Sequence, residues 1–420
     1  MRVIWISNII FGHLSELLEI NKYPSGTWLD AAYLALEKVP DIELFIITVS
    51  NVNEIRSKKV GKHSFYILPG GNPIHYDINS LKNKEIWKKI QNEINPDLIQ
   101  LWGTEYGHGY LAIKTMANVP SVVYMQGLMS QIARQFVSNI SIKEQIKNIT
   151  LRDIIKFDWL SQQQRSFYKR AKIESEILNY SGNIIVENNW CESHCKAIAP
   201  NSNTFKSKLS IKNEFFLQEW DVNKMIPYSI MCNAGGLPFK GLHILLKALS
   251  LVIQSFPDTK LLIPGFSSPF NKTFKENLRI NGYNKFIISL IKEYGLINNI
   301  QFLGFLNSEE MAEYMSKSNV FVMPSSIENH SSTLIEAMIV GIPCISSYVG
   351  GISEFLTHDM NGLIYRFEEH EILANHICKI FEDPTFASKI ALNGKNLMRN
   401  SRNSNNIKDD FIEIYNTLLN

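Results

Sequence analysis

The sequence predicts an α/β protein built from two doubly wound domains, and three observations predict it. Short apolar runs alternate with helical stretches in two separate series along the chain. The 420 residues exceed what one ordinary core organises. In both series, runs end in glycine- or serine-rich turns that open helices, the punctuation of a parallel sheet covered on both faces.

In the first series the runs are 3–7, 44–49, 65–68, 98–101, 122–125 and 184–186. In the second they are 228–232, 260–264, 300–303, 320–323 and 343–346, with helices expected over 242–256, 285–294, 308–316, 332–340 and across 369–400. No repeat relates the halves. The expected division is a first domain, 1–212, and a second, 213–404, with a linker near 206–227. The stretch 130–178 reads as a helical insertion in the first domain. A last helix, 405–420, can cross back onto that domain.

Composition narrows the function classes. A 45% hydrophobic and 20% charged chain is that of a globular protein. A net charge of +2 gives no global drive toward nucleic acid. Five cysteines without a Cys-x-x-Cys pair point to a reducing, cytoplasmic setting. Cys191, His194 and Cys195 could hold a metal, or be one helix turn with half-buried thiols. The segment Met1–Ser7 reads as a buried strand rather than a leader. No run approaches about 18 apolar residues, so no spanning helix is expected. Within 130–178, Lys143, Lys147, Arg152, Lys156, Arg165 and Lys169 alternate with Phe157, Trp159, Phe167 and Tyr168. That pattern admits contact with anionic lipid at the inner face of a membrane, or a solvated insertion with its aromatics turned inward.

The chemistry concentrates after the run 320–323, in Met323-Pro-Ser-Ser-Ile-Glu328-Asn329-His330-Ser331-Ser332-Thr333-Leu334-Ile-Glu336. Ser331, Ser332 and Thr333 are good N-caps, and a helix start presents free N–H groups to a phosphate. Glu328 precedes that helix and Glu336 lies about one turn inside it, so two carboxylates can face one ligand from different depths. A carboxylate accepts two hydroxyl hydrogen bonds, which suits a sugar edge. The segment resembles the Glu-x7-Glu motif of retaining glycosyltransferase family 4. It is similar to a bacterial polysaccharide-type sub-group whose segment reads Glu-Asn-Ser-Pro-Asn-Ser-Leu-Gly-Glu-Ala-Met. The following Gly341-Ile-Pro-Cys, Val349-Gly-Gly and Asn361-Gly-Leu match the same context.

The resemblance implies a GT-B fold, two Rossmann-like domains facing a cleft, with retention of configuration. It implies that Glu328 takes the donor sugar, Glu336 the nucleotide ribose, and that Asn329 and the amides of Ser332, Thr333 and Leu334 line the donor site. Asn233-Ala-Gly-Gly236-Leu-Pro-Phe-Lys240-Gly241 follows a strand and opens a helix. Gly236 would let backbone approach the ligand, and Lys240 would offset leaving-group charge. The family's partner arginine, five residues before this lysine, is replaced by Gly235. In the first domain Gly26, within Pro24-Ser-Gly-Thr-Trp28, and Gln126-Gly127 are the matching donor-side positions; the Gly26 loop reads equally as a plain turn. Gln126 cannot act as acid or base, which leaves His108 as the nearest ionisable group, read equally as a core or surface histidine. Glu187 and Cys191 replace the sub-group's Arg and Asp around Trp190.

The expected activity is sugar transfer from a nucleoside diphosphate sugar to a saccharide or lipid-linked saccharide, in bacterial surface polysaccharide synthesis at the cytoplasmic face of the membrane. No Asp-x-Asp motif is present, and no metal or resident cofactor is expected. The alternative is a GT-B-like protein that binds a nucleotide or sugar without transferring it.

Overall fold

The computed structural model describes residues 1–19, 27–265, 270, 278–402 and 404–420. It divides into two compact units. One comprises Met1–Ser130, Tyr168–Ile211 and Arg402–Asn420; the other Gln131–Phe167 and Lys212–Ser401.

The first unit carries an eight-stranded sheet among the described residues. Its strands are β1 (Arg2–Ser7), β2 (Glu43–Ser50), β3 (Arg56–Val60), β4 (His63–Pro69), β5 (Leu98–Trp102), β6 (Ser121–Tyr124), β7 (Asn183–Val186) and β8 (Asn203–Lys206). The order is β3-β4-β2-β1-β5-β6-β7-β8, parallel except for the β3–β4 pair. The apolar runs became the buried central strands. The edges β3 and β8 were not anticipated, because their Arg-Ser-Lys-Lys-Val and Asn-Thr-Phe-Lys sequences are polar and largely exposed, as suits sheet edges. The chain order reverses between β1 and β5, so their C-terminal ends frame a crevice where α/β sheets place ligands.

An aromatic stack ties the chain's end to this sheet. Trp5, Trp102 and Tyr124 pack against Phe411, with centroids 4.8–6.5 Å apart. Trp5 Nε1 donates to the Tyr415 hydroxyl at 2.9 Å, which donates to Gln100 Oε1 at 2.5 Å. Arg402, just before this final helix (Ser404–Leu419), faces buried Glu187 at 3.7 Å and donates to the Leu209 carbonyl. Glu187 is thus the partner of the returning segment, which accounts for a carboxylate where the resembling sub-group has a cation.

The second unit carries β9 (Ser229–Cys232), β10 (Lys260–Pro264), β11 (Ile300–Gly304), β12 (Val320–Met323), β13 (Cys344–Ser347) and β14 (Leu363–Tyr365). They form an all-parallel sheet in the order β11-β10-β9-β12-β13-β14. Here the order reverses between β9 and β12. β14 was not anticipated, since three residues leave no pattern to read.

The stretch 130–178 departs from its expected place. Residues 131–167 pack with the second unit, and the boundary falls inside the helix Leu160–Ser181. Three contacts draw it there. Phe136 packs on Phe167 and Phe239. The Ser138 hydroxyl lies 2.8 Å from that of Ser326. Buried His243 donates from Nε2 to the Ser138 carbonyl at 2.8 Å and accepts at Nδ1 from the Tyr283 hydroxyl; burial pushes its pKa down to about 4, which keeps this neutral tautomer in place.

Tyr415→Phe removes one hydroxyl that serves both Trp5 and Gln100. Denaturant unfolding should show a loss of about 1–3 kcal/mol, the cost of stranding buried polar groups.

Candidate active site

In the second unit β9 and β12 are paired neighbours, with Ile230 opposite Val320 and Cys232 opposite Val322. Each continues into a loop and a helix, so the loops 233–241 and 324–331 meet at the reversal point although they are far apart in sequence. Two glycines make that meeting possible. Gly241, at φ +75°, lies where a Cβ would stand 1.7 Å from the Pro324 carbonyl oxygen. Gly350, at φ +54°, would bring a Cβ to 1.6 Å from that of Glu328. Only glycine fits either place. Backbone hydrogen bonds staple the same loop: Ser326 N–H donates to the Phe239 carbonyl and Gly351 N–H to that of Asn329.

The result is an ion pair. Lys240 Nζ lies 2.6 Å from Glu328 Oε1, 88 residues apart, and the Ser325 hydroxyl donates to the same oxygen at 2.7 Å. Beside it the helix Ser332–Val340 starts at Ser331, held at φ 41°, whose hydroxyl accepts from the Leu334 N–H at 3.4 Å. Of the amides expected to line the site, Leu334 is therefore already engaged. Those of Ser332 and Thr333 have no protein acceptor among the described residues, as the first amides of a helix must. Asn233 Nδ2 donates to Thr333 Oγ1 at 2.8 Å, tying the glycine-rich loop to the helix start. Asn329 is buried within its loop.

Glu336 follows on the same helix and is buried. Burial pushes its carboxyl up to about 7, against the opposing charge of Lys212. Among the described residues no hydrogen-bond donor faces it. A carboxylate held this way gains from any hydroxyls a ligand brings.

At Gly235 a Cβ would meet nothing within 4 Å. The position is open, so its lack of a side chain is not forced by packing. A cavity of about 520 Å³, lined by Gln135, Asn139, Ser326, Tyr348, Arg366 and Glu368 among others, touches this loop only through Ser326. Lys240, Glu328 and Glu336 do not line it, so the ion pair and helix start carry the functional reading.

The first unit holds His108, Gln126 and Gly127; Gly26 lies outside the described residues. His108 is corrected as an acid–base candidate. It is fully buried, sits 3.3 Å from the Ser7 carbonyl through Nε2, and burial pushes its pKa down to about 4. It is a neutral core histidine. Sequence reasoning placed the segment from Gly103 to His108 after a strand but singled out His108 rather than Glu105, three residues earlier. At the C-terminal ends of β1 and β5, half-buried Glu105 accepts from the Asn8 side chain, and burial with the neighbouring Glu174 charge pushes it up to about 7. Glu174 in turn accepts from Thr104 and from the Met129 and Ser130 amides. The strand-end position of Glu105 was the signal that could have found it. Cys191 and Cys195 lie in the core of this unit, where hydrogen bonding between them and burial push the Cys191 thiol well up.

Residues 220–397 match the family described as Glycosyl transferases group 1. An uncharacterised glycosyltransferase of Methanocaldococcus jannaschii is 24% identical over 213 residues, 50% of this chain and 49% of that protein. A capsular polysaccharide biosynthesis glycosyltransferase, CapM of Staphylococcus aureus, is 23% identical over 180 residues, 43% of each. The chain thus spans about half the length of the curated relatives it matches. Anabaena HepE, solved in complex with UDP and glucose, superposes with a TM-score of 0.69 at 16% identity, covering 99% of this chain and 100% of that one.

Glu336→Gln should reshape the pH dependence of stability. A carboxyl raised from 4.5 to about 7 favours folding below its unfolded pKa, and that benefit is lost as pH rises from about 4.5 to about 7. Thermal unfolding should find the variant more stable than the parent at pH 8, on the order of 3 kcal/mol, and near parity at pH 4. The fold is GT-B, with two α/β units on parallel sheets, and residues 220–397 of the second unit match the Glycosyl transferases group 1 family.

Proposed function

We propose that this protein is a retaining glycosyltransferase of family 4 type that moves a sugar from a nucleoside diphosphate sugar to an acceptor. The observation that carries the reading is the Lys240–Glu328 pair, set at the strand reversal beside two unengaged helix amides, with Glu336 buried behind. Each group matches one part of such a donor. Glu328 accepts hydroxyls of the sugar. Glu336 accepts the ribose hydroxyls. The amides of Ser332 and Thr333 take the diphosphate, with the positive end of the helix dipole behind them.

Transfer requires the bond from the anomeric carbon to the diphosphate oxygen to break, and negative charge grows on the leaving diphosphate as it does. Lys240 and the helix start offset that charge, and this reading needs no resident cofactor or metal. The Glu328 contact holds the Lys240 ammonium in place before the donor arrives, so little reorganisation accompanies the step. HepE, named with UDP and glucose, and CapM, named for capsular polysaccharide, support a uridine-type donor and a surface-polysaccharide setting. The acceptor in this reading is a saccharide or lipid-linked saccharide presented at the cytoplasmic face of the membrane. Glu105 is the acceptor-side candidate in the first unit, with Gln126 and Gly127 on the donor side.

Gly235 favours a second reading, a GT-B-like binder without turnover, because the charge-offsetting arginine is absent there. The two readings separate on one experiment. The protein is screened with UDP- and GDP-sugars by thermal shift, and bound donors are followed for slow hydrolysis. The transferase reading expects hydrolysis that falls about a hundred- to a thousandfold in Lys240→Ala and in Glu328→Ala. Binding without hydrolysis or transfer in any donor would sink it. Because Gly235 faces open space, Gly235→Arg should fold normally and raise the rate of donor cleavage rather than lower it.

A further inference from the structure

The helices Ile142–Lys147 and Leu151–Lys156 are inside out. Their inward residues are polar. Asn148 and Asp153 are buried, and both touch the start of the helix Gly282–Glu293, where a Cβ on Gly282 would stand 2.9 Å from Asp153 Oδ2 and 3.0 Å from the Asn148 carbonyl oxygen. Lys285 Nζ secures the same side on the Lys147 and Ile149 carbonyls. Their outward residues are apolar. Ile142, Ile146, Leu151, Ile154, Ile155 and Phe157 are 56–74% exposed. The spacing is that of one helix face in each case, i and i+4 in the first helix, i, i+3 and i+4 in the second. Phe157 ends the second helix at φ 50°, a costly conformation for an aromatic residue that nonetheless projects outward.

A water-facing apolar face on two consecutive helices is uncommon in a soluble protein. Charge selects what covers it. The acids of this stretch are consumed locally: Glu144 caps Ser141, Asp153 caps Thr150 and pairs with Arg152, and Asp158 pairs with Arg152. Lys143, Lys147 and Lys156 are exposed, and among the described residues no carboxylate pairs with them. Apolar side chains rimmed by uncompensated lysines suit the interface of an anionic bilayer. They suit a second copy of this chain poorly, because a two-fold contact would set one lysine rim against the other.

We infer that residues 142–157 form a docking surface for an anionic lipid membrane, with the six apolar side chains entering the headgroup–acyl boundary and the three lysines engaging the headgroups. This inference is independent of the reaction proposed above, since it rests on other residues of the second unit, packed on the helix Gly282–Glu293.

The full chain is tested by flotation with phosphatidylcholine vesicles, with and without about one-third phosphatidylglycerol. It should float with the anionic vesicles, little with the neutral ones, and less as salt is raised. The double substitution Ile146→Ser with Ile155→Ser should weaken flotation at least about tenfold. Lys143→Glu with Lys147→Glu should weaken it about fivefold or more per site. All four sites are exposed, so circular dichroism and unfolding midpoint should stay unchanged. The inference is overturned if the unaltered chain floats with neither vesicle, or if the isoleucine variant floats equally well. It is also overturned if the unaltered chain is a dimer that the isoleucine variant converts to monomer, which would make the face a contact between copies.

Discussion

The second unit is organised around the approach of two loops, and that approach depends on two glycines. Gly241 lets the turn after β9 lie against the Pro324 carbonyl, and Gly350 lets the turn after β13 lie against that of Glu328. With those carbonyls fixed, the Glu328 side chain meets Lys240 and Ser325. The helix start at Ser331, the hydrogen bond from Asn233 to Thr333 and the burial of Glu336 all follow from the same arrangement. A side chain at either glycine would push apart the backbone that carries the proposed donor contacts.

The first unit uses its buried charges differently. Glu187 and Arg402 hold the returning chain end, and Tyr415 continues that attachment through Trp5 and Gln100. Burial alone therefore does not mark a functional carboxyl. Glu187 has a guanidinium opposite it. Glu336 has the charge of Lys212 acting on it but no ion pair or hydrogen bond among the described residues. The difference between a satisfied buried charge and an unsatisfied one separates scaffold from site in this protein.

Much of the fold was legible because buried parallel strands must be apolar runs and their ends must turn. The central strands of both sheets were found this way, as was the Ser331 to Glu336 helix start. The edges β3 and β8 were illegible, since an edge strand with one paired side tolerates the polar sequences of a loop. His108 misled because a histidine near a strand end looks available in one dimension, while the helix that follows β5 carries it into the core beneath Ser7. Glu105 was in plain view, but nothing local announces that Asn8 and Glu174 will surround it.

The sequence by itself determined the α/β class and the two strand series, because strand periodicity is local, and it singled out Lys240, Glu328 and Glu336 as candidates through the motifs their segments resemble. Only the tertiary structure decided that Lys240 and Glu328 touch, that Asn8 and Glu174 surround Glu105 while His108 is buried, and that 131–167 packs with the second unit. Those outcomes rest on contacts between segments tens to hundreds of residues apart. Such contacts follow from strand order and from where glycine permits close approach, and neither is written in the order of residues along a single element.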